Sequence, residues 1–455
     1  MLLIDASQIL RRDGTGIASY ARSLVTTLHS EQRRVALLLD RRVSTTPGTP
    51  EIGISGQVFG NFAEQSATAR MVELAISSRL GLSRRLDARR VAVESMRLAS
   101  LDPGLPPNDA VFNVSNGLSF ANAMFMLRRK LTEVTVPAKI ALAHWTGPFP
   151  IRARGAPNVY TMHDAIPLRM PHLVVDRRGE AARRHNAIAA GADHIITVSE
   201  QAKQDIVETL GLPEDAVSVT YQPVPYLPPI DREVSERLVR DIYGAEPGGY
   251  AFFCGALEPK KNLYRLIEAF TLSGVRLKLL IAGPAGWLYD EVETLIDQLG
   301  ARTLVPGRRQ VRWLGYLPRM HLAALMQCAR FFAFPSIYEG FGLPVAEAMQ
   351  LGVPVLTSTA GGLAEVAGNA ALLVNPLDVG DMSRQIRLIA ADADLRHELS
   401  LRGPVQAARF SPNAHLHRLA AAYRRVGVSI PVDRESGFPS ERQRRPEVPA
   451  FKAVG

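Results

Sequence analysis

Short apolar runs alternate with helix-like segments along almost all of this chain. A strand is predicted at each of the first runs, at 1–5, 34–40, 110–114, 159–162 and 194–198. Strands that alternate with helices favour parallel sheets covered by helices on both faces. Because 455 residues exceed what one hydrophobic core supports, the sequence predicts two such domains.

A proline-rich segment at 221–229 separates the two halves, with four prolines in seven residues. This density excludes a helix or a central strand, so the segment is predicted to be the interdomain linker. The first domain is therefore expected at 1–222 and the second at 223–410, each a doubly wound α/β layer. The second half restarts with strand-like runs, at 250–254, 278–282, 311–314, 331–334, 353–357 and 371–374.

Two further regions have a distinct pattern. Ser411 followed by Pro412 is typical of a helix start, and the helix is expected to reach about 425 within a segment at 411–427. Residues 428–455 are rich in Pro, Arg and Glu and are predicted to be a disordered tail. Residues 43–105, in the first domain, are poorly patterned, and we expect a loop there followed by a basic helix.

The composition is that of an ordinary globular protein, with 47% hydrophobic and 21% charged residues. Two cysteines cannot form a disulfide framework, so a reducing cytoplasm is expected. The first residues are too short an apolar run for a signal peptide. No window approaches 18 uninterrupted apolar residues, so no membrane span is predicted.

The net charge of +9 is concentrated in part in two clusters. Six arginines lie among apolar residues between 79 and 97, and Arg128, Arg129 and Lys130 directly follow the apolar run 124–127. Such clusters favour contact with an anionic membrane surface, although a solvated helix face is the alternative. No nucleic-acid-binding motif accompanies the charge, so a nucleic-acid partner is not expected.

Glu339 and Glu347 stand eight positions apart, on either side of the segment 340–344, Gly-Phe-Gly-Leu-Pro. The glycines and the proline predict a turn from a buried strand into a helix. Amides at a helix N-terminus attract phosphate, and carboxylates beside them suit the hydroxyls of a sugar or a ribose. An amphipathic helix with two solvated glutamates would not require this turn.

This segment resembles the E-x7-E motif of retaining glycosyltransferases of family GT4, which have the GT-B fold. Four other segments are similar to that family in the same order, at 13–17, 162–164, 195–200 and 254–263. The resemblance covers residues 1 to about 425. It implies two Rossmann-like domains that face each other across a cleft, with the C-terminal helix crossing back to the first domain.

The resemblance also implies roles for individual residues. Lys261 corresponds to the family lysine at the donor diphosphate, but the usual arginine companion is replaced by Ala256. Lys260 or the dipole of the following helix could supply the missing charge. The implied catalytic residues are His163, on the acceptor side, and Glu339, which would hold the donor sugar hydroxyls. The implied donor-binding residues are Gly14, Gly16, Lys260, Lys261, the amides of Phe341, Gly342 and Leu343, and Glu347, which would hold the ribose.

The motif variants at 163–168 and 257–262 most resemble bacterial mannosyltransferases of polysaccharide assembly. That resemblance implies GDP-mannose as the donor and a glycan or polyprenyl-diphosphate-linked glycan as the acceptor. It also implies no cofactor and no metal. We expect a cytoplasmic enzyme, peripheral on the inner face of the plasma membrane. A nucleotide-sugar hydrolase or epimerase, or a non-catalytic binding paralogue suggested by Ala256, remains the alternative.

Overall fold

The computed structural model describes residues 1–9, 16–30, 33–40, 85–91, 105–114, 116–173, 178–225, 230–301 and 310–432. Within these ranges the strands, β1 to β17, are Leu2–Asp5, Val35–Leu39, Arg85–Asp87, Arg89–Val91, Ala110–Asn113, Thr132–Thr135, Leu142–Trp145, Ile151–Ala153, Asn158–Thr161, His194–Thr197, Val217–Val219, Tyr250–Cys254, Lys278–Ala282, Val311–Trp313, Phe331–Phe334, Val355–Ser358 and Leu372–Val374.

The α-helices of the same ranges, α1 to α14, alternate with these strands through most of the chain. They are Gly16–Ser30, Gly117–Arg128, Ile166–Arg169, Arg178–Gly191, Glu200–Leu210, Arg232–Tyr243, Leu263–Ser273, Asp290–Ala301, Arg319–Gln327, Leu343–Gln350, Gly362–Ala367, Val379–Ala391, Ala393–Ala407 and Pro412–Arg424.

Two large sheets organise the chain. The first has the strand order β11-β10-β9-β7-β1-β2-β5-β4, and the second has the order β14-β13-β12-β15-β16-β17. Described neighbours in both sheets pair in parallel, except that β4 runs antiparallel to β5 at one edge. A small parallel sheet, β3-β6-β8, lies beside the first. The prediction of two doubly wound α/β layers is confirmed.

The last helix, α14, returns to the first domain. Leu416, Leu419 and Tyr423 on this helix share a buried core with Leu2 and Ile4 of β1. The helix begins as predicted, because the Ser411 side chain accepts a hydrogen bond from the Ala414 amide at 3.3 Å. This return is the crossover expected of the GT-B fold, and that fold is confirmed.

Residues 85–91 correct one prediction, because they form the short strands β3 and β4 rather than part of a basic helix. The apolar residues alternate there with period two: Leu86 and Ala88 are turned towards the core, whereas Asp87 is exposed. The remainder of the arginine-rich stretch, at 79–84 and 92–97, lies outside the described residues. Arg85 lies in β3, and Arg89 and Arg90 lie in β4.

The start of the predicted tail at 428 is also too early. Ile430 is only 8% exposed, and Val428 and Val432 pack against the same core as α14. Arg33 Nη2 donates a hydrogen bond to the Pro431 carbonyl at 2.8 Å. Apolar residues at alternate positions thus fasten 428–432 to the first domain. The rest of the predicted tail, 433–455, lies outside the described residues.

None of the described helices is long and apolar enough to cross a membrane.

Candidate active site

The turn between β15 and α10 contains the two glycines of the Gly-Phe-Gly segment, and each is required for a different steric reason. A Cβ on Gly340 would lie 2.2 Å from the His163 carbonyl oxygen, in the first domain. Gly342 has a φ of 95°, and a Cβ there would lie 2.3 Å from Leu363 Cδ2. Both positions therefore require glycine. The turn consequently brings Glu339 close to the His163 backbone across the cleft.

Two ammonium groups converge on the Glu339 carboxylate. Lys261 Nζ lies 2.5 Å from Glu339 Oε1, and Lys260 Nζ lies 4.0 Å from Glu339 Oε2. Lys260 Nζ is also 3.9 Å from Glu258 Oε2. Glu339 is only 8% exposed, so this is a largely buried charge cluster. Lys261 Nζ further lies 5.0 Å from the centre of the Phe334 ring, which favours a cation.

The electrostatics of this cluster favour its ionised form. Burial alone would raise the pKa of the Glu339 carboxyl, but Lys261 and then Lys260 outweigh it and hold that pKa below its ordinary value. In return, the Glu339 charge raises the pKa of Lys260 despite its burial. The carboxylate is therefore ionised at neutral pH, with two cations available beside it.

The lysines are held by the backbone of the turn that contains them. Residues Pro259–Lys261 form a 3-10 turn, and Asn262 follows with a left-handed φ of 61°. The Asn262 side-chain nitrogen donates to the carbonyls of Pro335, at 3.0 Å, and Pro376, at 2.6 Å. The Ile337 amide donates to the Lys260 carbonyl at 2.8 Å. The lysine turn and the Glu339 turn are thus fastened directly to each other.

The amides of Phe341, Gly342 and Leu343 precede and open α10. None of these three amides has a hydrogen-bond partner among the described residues. The Phe341 ring itself is buried and packs edge-on against Phe410, with 5.2 Å between ring centres. Free amides at a helix N-terminus form an anion site, so this segment can accept a phosphate or a polar sugar group.

Glu347 lies in the second turn of the same helix. Burial raises the pKa of its carboxyl, and the nearby Arg319 guanidinium opposes that shift. Arg319 Nη2 is 3.7 Å from Glu347 Oε1, and its side chain is 59% exposed. Arg319 opens α9, and sequence reasoning did not identify it. A mostly solvated cation beside Glu347 leaves the carboxylate able to accept hydroxyl donors.

His163 follows β9 and lies on the first-domain side of the cleft. Its Nε2 is 2.9 Å from the Thr146 carbonyl oxygen, which can only accept, so Nε2 donates the proton. The Tyr20 ring packs edge-on against the imidazole, with 5.0 Å between ring centres. Burial lowers the pKa of His163. A neutral ring with a proton on Nε2 leaves Nδ1 as an acceptor for a substrate hydroxyl.

The glycines predicted to approach the donor are described only in part. Gly14 lies outside the described residues. Gly16 is the first residue of α1, and its carbonyl accepts a hydrogen bond from Gln222 Nε2 at 3.4 Å. Among the described residues, no group of three or more His, Cys, Asp or Glu side chains is arranged to hold a metal ion.

Sequence reasoning also missed how the site is supported. Asn262 was recognised as part of a motif, but not as the residue that joins three segments. The sequence does offer a signal for it, since asparagine between two lysines and a helix is typical of a left-handed turn position. The contacts of Ser199 and Glu365 with the other domain could not be found from sequence spacing, because more than 140 residues separate the partners.

Comparison with known proteins agrees with the two-domain fold. Residues 80–226 match the model of Glycosyltransferase Family 4, and residues 238–406 match that of Glycosyl transferases group 1. The two matches lie on the two α/β domains, so together they account for both halves of the fold.

Two relatives from Escherichia coli are mannosyltransferases by name. The chain is 36% identical to O-antigen chain mannosyltransferase B over 226 residues, which cover 48% of this chain and 56% of that protein. It is 30% identical to serotype-specific mannosyltransferase WbdA over 267 residues, which cover 57% of this chain and 32% of that protein. The match thus spans about half the length of the first relative and a third of the second.

Solved structures extend the likeness to the whole fold. Sucrose-phosphate synthase from Thermosynechococcus elongatus superimposes with a TM-score of 0.62 at 16% identity, over 94% of this chain and 98% of that chain. At this identity the likeness concerns the fold alone. With both family models and the GT-B architecture in agreement, the chain belongs to the GT4 family of glycosyltransferases.

Proposed function

We propose that this glycosyltransferase moves mannose from GDP-mannose to a growing bacterial glycan, with retention of configuration and without a metal ion. The choice of mannose is supported by the two mannosyltransferase relatives. GDP as the leaving group and a polysaccharide acceptor are proposed from the resemblance of the segments 163–168 and 257–262 to bacterial mannosyltransferases of polysaccharide assembly. Both are proposals for this chain, because it spans only part of each relative.

The observation that supports the chemistry most directly is the buried pair of Lys261 and Glu339 beside free helix amides. As the bond to the sugar breaks, negative charge develops on the departing diphosphate. Lys261 and the amides of 341–343 are preorganised to stabilise that charge. Glu339 would meanwhile hold the donor sugar hydroxyls, and its negative charge favours the cation-like anomeric carbon.

The same geometry suggests how the chain tolerates alanine at position 256. Lys260 Nζ lies within 4.0 Å of Glu339, so a second cation already stands near the predicted diphosphate position. We propose that Lys260 replaces the missing arginine when the donor is bound. His163 completes the site from the other domain, with Nδ1 accepting a hydrogen bond from a hydroxyl of the transferred sugar.

The acceptor is proposed to be linked to polyprenyl diphosphate at a membrane. Residues 126–130, here called the basic–apolar patch, support this. Met126 and Leu127 are 44% and 60% exposed, and Arg128, Arg129 and Lys130 are all exposed directly beside them. Exposed apolar side chains next to cations suit the headgroup region of an anionic membrane. We therefore propose a cytoplasmic enzyme, peripheral on the inner face of the plasma membrane.

A product assay tests the proposed reaction. The purified full chain is incubated with GDP-mannose, UDP-glucose or UDP-N-acetylglucosamine, with and without lipid-linked glycan acceptor. Transfer from GDP-mannose alone is expected, with an α-linked product by NMR. The control variant Glu398→Ala, which removes a half-exposed carboxylate of α13, should lose no activity. Nucleotide release that is independent of acceptor would instead indicate a hydrolase. Donor binding without turnover would indicate a non-catalytic paralogue.

A further inference from the structure

The first turn of α5, in the acceptor-side domain, is hydrogen-bonded to the Glu339 turn of the donor-side domain. Ser199 is the N-cap of α5, and its hydroxyl oxygen accepts from the Ala202 amide at 3.0 Å. The same hydroxyl donates to the Gly340 carbonyl at 2.6 Å. Gly340 directly follows Glu339. A single serine therefore caps a helix of one domain and holds the catalytic turn of the other.

A carboxylate from the donor-side domain completes this cap. Glu365 Oε2 accepts from the Glu200 amide at 2.9 Å, and Oε1 lies 3.1 Å from the same amide. The Gln201 amide is 3.4 Å from Oε2, and the Tyr221 hydroxyl donates to Oε1 at 2.7 Å. The first amides of a helix have no partner within it and carry partial positive charge. Glu365 supplies these amides with a negative partner from across the domain boundary.

Glu365 is also coupled to Glu339 through its own helix. It lies in α11, and the Gly362 amide that opens α11 donates to the Glu339 carbonyl at 2.8 Å. A Cβ on Gly361 would lie 2.5 Å from that carbonyl, and one on Gly362 would lie 2.3 Å from the Gly340 carbonyl. The start of α11 and the Glu339 turn are therefore in direct backbone contact. Displacing α11 would displace Glu339 with it.

Further along, α5 reaches the acceptor side of the site. Asp205 is 1% exposed, accepts a hydrogen bond from the Tyr338 hydroxyl and pairs with Arg169. Tyr338 precedes Glu339, whereas Arg169 ends α3, the short helix that follows His163. The Tyr338 ring packs with Ile166 of that same helix. One helix thus contacts both segments that hold the proposed catalytic residues.

We infer that Glu365 is a positioning residue for glycosyl transfer. By capping α5 across the domain boundary, it fixes the Glu339 turn against the His163 segment. It forms no part of the proposed donor contacts, so its loss should impair turnover rather than nucleotide binding. This inference rests on the proposed function, because it concerns the same active site.

The test compares Glu365→Ala, Glu365→Gln and Tyr221→Phe with wild type and with the surface control Glu398→Ala. Three quantities are measured on the full chain: kcat for mannose transfer, GDP affinity by calorimetry, and the melting temperature. Glu365→Ala should lower kcat about tenfold or more, which corresponds to about 1.4 kcal/mol, while GDP affinity stays unchanged. The Gln variant retains an oxygen acceptor for the amides, so it should lose less activity. Glu398→Ala should match wild type.

Each outcome separates the two claims. If wild type transfers no sugar from any donor, the proposed function fails. If wild type transfers mannose and Glu365→Ala has the same kcat, only the positioning role is overturned. A parallel loss of GDP affinity would also overturn it, because Glu365 would then act on donor binding. Should Glu365→Ala not fold, Tyr221→Phe removes one bond to the same carboxylate, and an unchanged kcat in that variant overturns the role.

Discussion

Lys261 Nζ and Glu339 Oε1, 2.5 Å apart, form a buried ion pair between the turns that follow β12 and β15. Buried pairs contribute little net stability, because desolvation offsets much of their attraction. We propose that the value of this pair is chemical, because Lys261 holds the pKa of the buried Glu339 carboxyl below its ordinary value and so keeps it ionised. Removing either one leaves the remaining charge without its main neutralising group, which makes the pair a sensitive target for mutation.

Glu339→Ala should reduce kcat/KM by well over tenfold, a loss of more than about 1.4 kcal/mol in transition-state stabilisation. The lysines keep 15% and 21% of their side-chain surface exposed and can be hydrated, so the variant should remain folded. Steady-state kinetics and circular dichroism provide the check. A variant that keeps a tenth of wild-type kcat/KM would show that Glu339 is not at the reacting centre.

Glu347→Ala should mainly raise the KM for the donor. A ribose contact is made equally in the ground state and the transition state, so its loss weakens binding and leaves kcat nearly unchanged. Arg319→Ala is the matched control, because Arg319 is the cation beside Glu347 but is mostly solvated. A fall in kcat with unchanged KM in Glu347→Ala would contradict the ribose role.

Activity should survive excess EDTA. We propose that Lys261, the free amides of 341–343 and the N-terminus of α10 together take the role that a divalent ion has in other transferases. The measurement is the initial rate after dialysis against chelator, with a metal-dependent transferase assayed in parallel to prove that chelation is complete. Complete loss of activity that manganese or magnesium restores would refute metal independence.

The sequence predicts the strands of the two large sheets better than the small sheet that lies beside the first. Strands β12, β13 and β15 have the predicted bounds, because each is a run of buried apolar residues, preceded in β13 by the half-buried Lys278. The short strands β6 and β8 escaped prediction, since polar and charged residues interrupt any apolar run in Thr132–Thr135 and Ile151–Ala153. The pairing of β6 with β3 depends on residues distant in the chain.

For the site, residues that belong to local motifs could be predicted from the sequence, whereas residues that act through long-range contacts could not. Glu339, Lys261 and His163 stand beside recognisable turns, and the fold brings these turns together. The roles of Ser199, Asp205 and Glu365 depend on which surfaces meet across the domain boundary. No spacing within one segment encodes that information, so these residues became apparent only in three dimensions.

Stability should fall as the pH drops below about 6.5. Burial lowers the pKa of His144 to about 3 and that of His415 to about 4. Between 6.5 and these values the unfolded chain binds protons that the folded chain does not. The free energy of unfolding therefore decreases with falling pH, by roughly 1.4 kcal/mol per pH unit for each such histidine.

Denaturant unfolding at pH 7.5 and 5.0 measures this effect. His415→Gln should reduce the acid-induced loss of stability, because it removes one group whose protonation favours the unfolded state. His397→Gln, at an exposed position, is the control for the general effect of replacing a histidine by glutamine. Equal pH dependence in wild type and His415→Gln would show that His415 is not a source of acid sensitivity.

The last prediction concerns the basic–apolar patch at 126–130. If it faces a membrane, the protein should sediment with anionic liposomes and much less with neutral ones. Each cation near such a surface contributes about 1 kcal/mol, so Arg128, Arg129 and Lys130 together account for about 3 kcal/mol, or roughly a hundredfold in affinity. Added salt should weaken the binding of the protein to anionic liposomes. Replacing all three cations by glutamate should release the protein without changing GDP affinity, because none of the residues proposed to bind the donor lies in the patch. Equal sedimentation of wild type with neutral and anionic vesicles, or none at low salt, would reduce the patch to a solvated surface and make a soluble acceptor the better proposal.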